Sequence, residues 1–194
     1  MRQFTESSAL GKRISRRFVA GLSLEDAIDA VAAVNHFGLS ASLDPLGENV
    51  ETEAAAAQAT ATACTILDDI HRNRVDSTLS VKLTQLGLDL SRDLARRHLE
   101  QITARAAATG TFIRVDMEGS LYTAVTLELV QERHAAGAPV GTVVQAYLYR
   151  TAEDVERLLG AGIRIRLVKG AYREPAAIAL QDKAAVEANY VRLM

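Results

Sequence analysis

Apolar and polar residues follow two different periods along this chain, and the first is helical. In residues 24–34 the apolar positions recur every three or four residues, the spacing of an amphipathic helix. Ser23 is placed to cap this helix, Asp26 three residues later suits a capping box, and Gly38 is placed to stop it. We therefore predict an N-terminal helical segment over residues 1–38.

From residue 39 onward, short strand-like runs alternate with longer helical patterns, five times in succession. The predicted strands lie in ASLDPLGE, STLSVKLTQLG, TFIRVDMEGS, PVGTVVQAYLYRT and RIRLVKGAYREP. The predicted helices cover residues 51–71, 91–108, 122–136 and 152–159, and a last one runs to residue 194. Such repeated strand–helix units require parallel strands joined by right-handed crossovers.

Doubly wound and barrel folds both show this alternation, and the first predicted strand favours the barrel. A doubly wound nucleotide-binding fold usually has a glycine-rich turn there, but residues 44–48 read DPLGE, and the chain contains no GxGxxG or GxxxxGK[ST] motif. We predict an α/β fold of the (βα)8-barrel type, with residues 39–194 forming its first five βα units. Because five strands cannot close such a barrel, it is incomplete here, either as a fragment or as a half that a partner completes.

Composition excludes some classes of function. The net charge is −2, which gives no broad basic field for nucleic acid. No apolar run approaches the roughly 20 residues that span a bilayer. The lone Cys64 rules out an internal disulfide and suits a reducing compartment. The first 21 residues are basic, and we expect a solvated helix face there rather than a transit peptide.

Candidate functional residues stand at the carboxyl ends of the predicted strands, where barrel enzymes keep their chemistry. These residues are Asp44 and Glu48, Lys82, Asp116 and Glu118, Gln145, and Arg166 and Lys169. Each strand rises through apolar residues and ends on groups that are expensive to bury unpaired. We therefore expect them to face one common mouth.

Taken singly, several of these residues could have a purely structural role. Asp44 precedes a proline and could simply begin a turn. Asp116 could be a structural anion that pairs with Lys82 or Arg166. Gln145 could bond a loop backbone as easily as a ligand. The histidines lie on or near predicted helices without metal-ligand spacing, so no metal site is predicted.

Five stretches carry a resemblance to a known family. They are RRFVAG (residues 16–21), SVKLTQLGLD (80–89), RVDMEGS (114–120), VVQAYLYRT (143–151) and RLVKGAYREP (166–175). In this order and at about this spacing, they resemble the proline dehydrogenase family, flavoenzymes that oxidise proline. The resemblance implies a distorted (βα)8 barrel that holds FAD at the carboxyl ends of its strands. Family members continue for three more strands and a last helix.

The resemblance implies roles for individual residues. Asp116 and Arg166 correspond to the catalytic residues of the family. Lys82 resembles its contact to the proline carboxylate, and Tyr172 is expected near the substrate pocket.

The flavin contacts that the resemblance implies are Met117, Gln145, Lys169, Gly170 and Ala171. Arg166 is a suitable cation to stabilise the negative charge that a flavin gains on reduction.

The resemblance implies oxidation of L-proline to 1-pyrroline-5-carboxylate, with electrons passed to a quinone. It implies a cytoplasmic protein and leaves peripheral contact with the inner membrane open, although no amphipathic anchor is evident. The sequence does not define the oligomeric state. Two alternatives remain: a Schiff-base aldolase-type barrel that uses Lys82 or Lys169, and an inactive or complementation-dependent barrel fragment.

Overall fold

The computed structural model describes residues 20, 21 and 23–194 of the protein. Its strands are β1 (Ala41–Leu43), β2 (Ser77–Val81), β3 (Ile113–Val115), β4 (Val140–Gln145) and β5 (Ile165–Val168). Its helices are α1 (Leu24–Asn35), α2 (Glu53–Asn73), α3 (Arg92–Thr109), α4 (Ser120–Ala135), α5 (Thr151–Gly160) and α6 (Lys183–Leu193). Of the predicted N-terminal segment, α1 is described, whereas the expected basic helix and most of the RRFVAG stretch lie outside the described residues.

The strands form one parallel sheet in the order β1-β2-β3-β4-β5, curled into a half-barrel. Every neighbouring pair is parallel, and a helix connects each strand to the next. The predicted five βα units of an incomplete barrel are therefore confirmed. β1 and β5 each pair on one side only within the described residues, so both lateral edges of the sheet are open.

Side-chain caps begin several of the helices where the sequence places them. The predicted capping box is present: the Ser23 hydroxyl accepts a hydrogen bond from the backbone N–H of Asp26, and the Asp26 carboxylate accepts one from the N–H of Ser23. Thr52 and Ser91 cap α2 and α3 in the same way, as acceptors for first-turn N–H groups.

The two faces of the sheet differ in chemistry. Between sheet and helices lies an apolar core that includes Leu67, Leu79, Leu99, Ile113, Leu127 and Leu158, all fully buried. The alternate positions of the strands face the concave side, where the hydroxyls of Ser42 and Ser80 lie 3.2 Å apart. The guanidinium of Arg164 stacks 4.3 Å above the ring of Phe112 on this side. The concave face therefore carries hydroxyl and guanidinium groups, whereas the face toward the helices is apolar.

The last part of the chain is less regular than its pattern predicts. α6 starts only at Lys183, and residues 169–182 form a loop that bridges back at Leu148 and Ala179. Pro175 cannot donate to a helical ladder, and its carbonyl instead closes a short turn onto Ile178 and Ala179. β5 looks buried in sequence, but all four of its residues are partly exposed because it is an edge strand. No helix in the described part of the chain combines the length and hydropathy needed to cross a membrane.

Candidate active site

Lys82 stands immediately after β2 and is largely buried, with 13% of its side chain exposed. Its Nζ lies 3.1 and 3.2 Å from the two carboxylate oxygens of Asp44, which follows β1. It also lies 3.7 Å from Oδ2 of Asp116, which follows β3. Asp44 therefore does more than begin a turn: it supplies the main counter-charge for the lysine.

Asp116 joins this pair to a second cation. Its Oδ1 is 3.5 Å from the guanidinium of Arg166, which lies in β5 beside Val143 of β4. The four charged groups form a continuous row, Asp44–Lys82–Asp116–Arg166, across the carboxyl-end rim of the half-barrel. We call this row the charged rim. It exists because parallel strands bring their ends to one edge of the sheet, as the sequence predicts.

Burial and neighbouring charges set the protonation of the charged rim. Burial acts against the charge of Lys82, but the hydrogen bond and charge of Asp44, with the charges of Asp116 and Glu48, outweigh it, and the pKa of Lys82 is raised. Burial also raises the pKa of Asp116, against the opposing effects of Lys82 and Arg166. Lys82 therefore remains an ammonium at neutral pH.

Behind the charged rim, Glu118 and Gln145 fasten the strand ends together. The buried Glu118 carboxylate accepts hydrogen bonds from the backbone N–H and the hydroxyl of Thr84. Gln145 donates from Nε2 to the Glu118 carbonyl at 2.9 Å, so its side chain binds a loop backbone, one of the two alternatives open from sequence. Burial raises the pKa of Glu118 despite the Thr84 hydrogen bonds. Met117 is 7% exposed and packs into the core.

The structure turns Lys169 away from the charged rim. Its Nζ pairs at 2.9 Å with Glu187 of α6, and half of the side chain is exposed. Gly170 has a φ of +121°, and a Cβ there would lie 2.4 Å from the ring of Tyr147. Ala171 is exposed. The Lys169 ammonium is therefore bound to α6, and the chain after it packs on Tyr147 through Gly170.

Tyr172 lies close to the acidic groups of the mouth. Burial raises its pKa to about 12, together with the negative charges of Glu48, Glu118 and Asp116. Its hydroxyl therefore keeps its proton at neutral pH and can act as a hydrogen-bond donor. The residue is still 36% exposed, so a ligand can reach it.

Sequence reasoning missed Glu174. Its carboxylate accepts hydrogen bonds from the backbone N–H and the hydroxyl of Ser120, at 2.7 and 2.6 Å. Glu174 stands in a loop and Ser120 begins α4, 54 residues earlier. A weak signal existed, because Gly119 leaves α4 without a side chain of its own to cap it.

The fold and the charged rim define a parallel α/β-barrel protein with a row of paired charges near the carboxyl ends of its strands. Comparison with known proteins makes this more specific. The family model "Proline dehydrogenase" matches residues 27–187, and this chain belongs to that family.

Individual relatives agree with this assignment. Proline dehydrogenase 1 of Bacillus subtilis (strain 168) is 38% identical over 189 residues, 97% of this chain and 63% of that protein. Proline dehydrogenase of Deinococcus radiodurans is 39% identical over 188 residues, 93% of this chain and 60% of the relative. This chain therefore spans about three-fifths of the length of these relatives.

Solved structures show the same fold. The crystal structure of proline utilization A (PutA) from Bdellovibrio bacteriovorus inactivated by N-propargylglycine superposes with a TM-score of 0.83 at 22% sequence identity. The match covers 94% of this chain and 24% of that one. At this level of identity the similarity concerns the fold alone.

Proposed function

We propose that this chain carries the substrate-binding rim and part of the flavin site of an FAD-dependent proline dehydrogenase. The reaction is oxidation of L-proline to 1-pyrroline-5-carboxylate, with the electrons passed on to a quinone. One observation carries the proposal: the mostly buried Asp116 carboxylate lies between the cations Lys82 and Arg166. Family membership and the matching fold support it.

Lys82 is suited to bind the carboxylate of proline. Its ammonium is kept charged by Asp44 and Asp116, and it is mostly buried, so a charge-assisted bond to a carboxylate is weakly screened there. Asp44 is 40% exposed at its side chain and is the partner that can yield to the substrate. Tyr172 adds a protonated hydroxyl at the same mouth.

The residues present also fit a flavin. The side chain of Arg166 is 38% exposed. Within the described residues its charge contact is the 3.5 Å approach to Asp116, which leaves guanidinium donors available for an anionic ring edge. FAD, when bound, supplies the hydride acceptor. Arg166 would hold its pyrimidine end, and Gly170 and Ala171 would contact it through their backbone.

The roles proposed from the resemblance differ in how well the contacts support them. The side chains of Met117, Gln145 and Lys169 already contact the core, a loop carbonyl and Glu187 respectively. For these three residues we therefore propose that they shape the flavin site by holding its walls in place. Gly170 and Ala171 remain proposed backbone contacts.

The Schiff-base alternative has little support from the geometry. A lysine nucleophile needs a lowered pKa from apolar surroundings or a neighbouring cation. The pKa of Lys82 is raised instead, because carboxylates surround it. Lys169 is half exposed and paired with Glu187. Trapping with borohydride and a carbonyl substrate would reveal either lysine if it did act in this way.

An incomplete-barrel function is the second candidate, and the open edges of β1 and β5 favour it. In this form the charged rim would work only when further strands complete the sheet.

The main proposal also includes electron transfer to a quinone, a cytoplasmic location and peripheral contact with a membrane.

One experiment separates these functions. The purified 194-residue chain is loaded with FAD and mixed with L-proline without oxygen, and the flavin absorbance is followed. Bleaching would support proline oxidation by this chain. Bound flavin that does not bleach would mean that the decisive substrate contacts lie outside it, and failure to bind flavin would refute the proposed cofactor site here. D-Proline serves as the control for a specific site.

A further inference from the structure

The loop of residues 169–182, which carries Tyr172, is attached firmly to the end of β4. Gly170 lies against the ring of Tyr147. The backbone N–H of Leu180 donates to the Tyr147 carbonyl at 2.8 Å. These contacts fix both ends of the loop on one side, but they do not connect it to the segment that carries Asp116.

Glu174 makes that connection. It lies two residues after Tyr172, and its two carboxylate oxygens accept hydrogen bonds from the backbone N–H and the hydroxyl of Ser120. Ser120 is the first residue of α4 and follows Asp116 by four positions. The Glu174 carboxylate therefore ties the Tyr172 loop to the Asp116 segment across the mouth of the half-barrel.

The local sequence makes this contact strong. α4 begins after Gly119, which has no side chain to accept from the first-turn N–H groups. A carboxylate at this position satisfies such a group and interacts favourably with the positive end of the helix dipole. Hydrogen bonds to an ionised acceptor are also stronger than those between neutral groups. The backbone of Glu174 is held in turn, because its carbonyl accepts from Nε2 of Gln181 at 3.2 Å.

We propose that Glu174 is a positioning residue, which holds Tyr172 at the mouth beside Asp116 and Glu118 by binding the N-terminus of α4. Glu174 lies two residues after Tyr172 and Ser120 two residues after Glu118, so the Glu174–Ser120 hydrogen bonds bring the two segments together. The raised pKa of Tyr172, to which the charges of Glu118 and Asp116 contribute, agrees with this arrangement. The consequence for proline rests on the proposed function: without the tether, Tyr172 would leave the pocket and the KM for proline would rise. A simple helix cap would stabilise α4 without affecting Tyr172.

The chain contains no tryptophan, so Tyr172→Trp introduces a single fluorescent reporter at this position. In that background we expect Glu174→Ala to shift the emission to longer wavelength and to raise acrylamide quenching about twofold or more. Ser120→Ala should give a smaller change, because the backbone N–H bond survives. Glu156→Ala, which removes an exposed carboxylate of α5, is the control and should change neither. Unchanged emission in Glu174→Ala would overturn the proposal.

A second measurement needs no reporter. Amide hydrogen exchange in residues 171–178, followed by mass spectrometry, is expected to be about tenfold faster in Glu174→Ala than in the wild-type chain or in Glu156→Ala. Equal rates would contradict the tether.

Steady-state kinetics test the consequence for proline. With FAD bound, the KM for proline in Glu174→Ala should rise about tenfold while kcat stays within about twofold. A lower kcat with unchanged KM would argue against positioning. Loop release without any proline turnover in the wild-type chain would refute the proposed function and still support the tether.

Discussion

Lys82 is held by Asp44, with both carboxylate oxygens within 3.2 Å of its Nζ, although 38 residues separate the two. β1 and β2 are neighbouring parallel strands, so the residues that follow them meet at one edge. The pair keeps a mostly buried lysine charged at neutral pH. Asp44 is the more exposed partner of the pair, so the carboxylate of a ligand could replace it beside Lys82.

Replacement of Lys82 should weaken proline binding. In Lys82→Met a charge-assisted hydrogen bond worth about 1.5–3 kcal/mol is lost, which corresponds to an increase in the proline Kd of about 10- to 150-fold. Kd is measured by flavin absorbance changes on titration with proline or a non-reacting analogue. Lys183→Met, at an exposed position at the start of α6, is the matched control. An unchanged Kd in Lys82→Met would exclude the carboxylate contact.

Arg166 should not tolerate lysine. Lysine keeps the charge but lacks the planar fork of donors that can contact Asp116 and a flavin edge together. We expect anaerobic flavin reduction by proline to slow about 10-fold or more in Arg166→Lys and further in Arg166→Met. Arg164→Lys is the control and should reduce the flavin at the wild-type rate, because Arg164 lies on the same inner face but stacks on Phe112. Equal reduction rates for Arg166→Lys and the wild-type chain would show that charge alone suffices.

The pH dependence of stability should reveal the buried Glu118. Burial raises its pKa above the ordinary value of 4.5, so the folded state binds this proton more tightly than the unfolded chain. Its contribution to stability is complete below pH 4.5 and is lost as the pH rises through the folded-state pKa. Glutamine does not titrate, so the free energy of unfolding of Glu118→Gln relative to wild type should rise as the pH increases from 4.5 through the folded-state pKa of Glu118.

Urea unfolding at several pH values measures this difference. Glu153→Gln, which removes an exposed carboxylate of α5, is the control. A difference between Glu118→Gln and wild type that stays constant or falls over this range would mean that the Thr84 hydrogen bonds prevail over burial.

Much of this architecture is predictable because local pattern and fold agree. The change from helical spacing to short apolar runs identifies all five βα units, and cap residues such as Ser23 mark helix starts. Charged residues at strand ends, among them Lys82 and Asp116, are predictable for the same reason: in a parallel sheet, position along the strand decides which edge a residue occupies.

The partners of these residues are less predictable. The pairing of Lys82 with Asp44 depends on the register between β1 and β2, and that of Lys169 with Glu187 depends on where α6 begins. The Glu174–Ser120 contact joins a loop to the first residue of α4, 54 residues away in sequence. Such contacts are set by tertiary packing, which cannot be read from the spacing of apolar residues or from helix and strand propensities.

Gly170 should be irreplaceable for reasons of both backbone and packing. Its φ of +121° lies in a region that residues with a Cβ rarely adopt, and that Cβ would lie 2.4 Å from the Tyr147 ring. We expect Gly170→Ala to lower the free energy of unfolding by about 2 kcal/mol or more, as backbone strain and overpacking combine. Urea unfolding measures this change. Gly160→Ala is the control, since Gly160 ends α5 with nothing near its missing Cβ and no positive φ, and it should be neutral or stabilising by up to about 1 kcal/mol. If Gly170→Ala proved as stable as Gly160→Ala, the loop would have to be free to move off Tyr147, and the close packing of Gly170 on that ring could not be what requires glycine here.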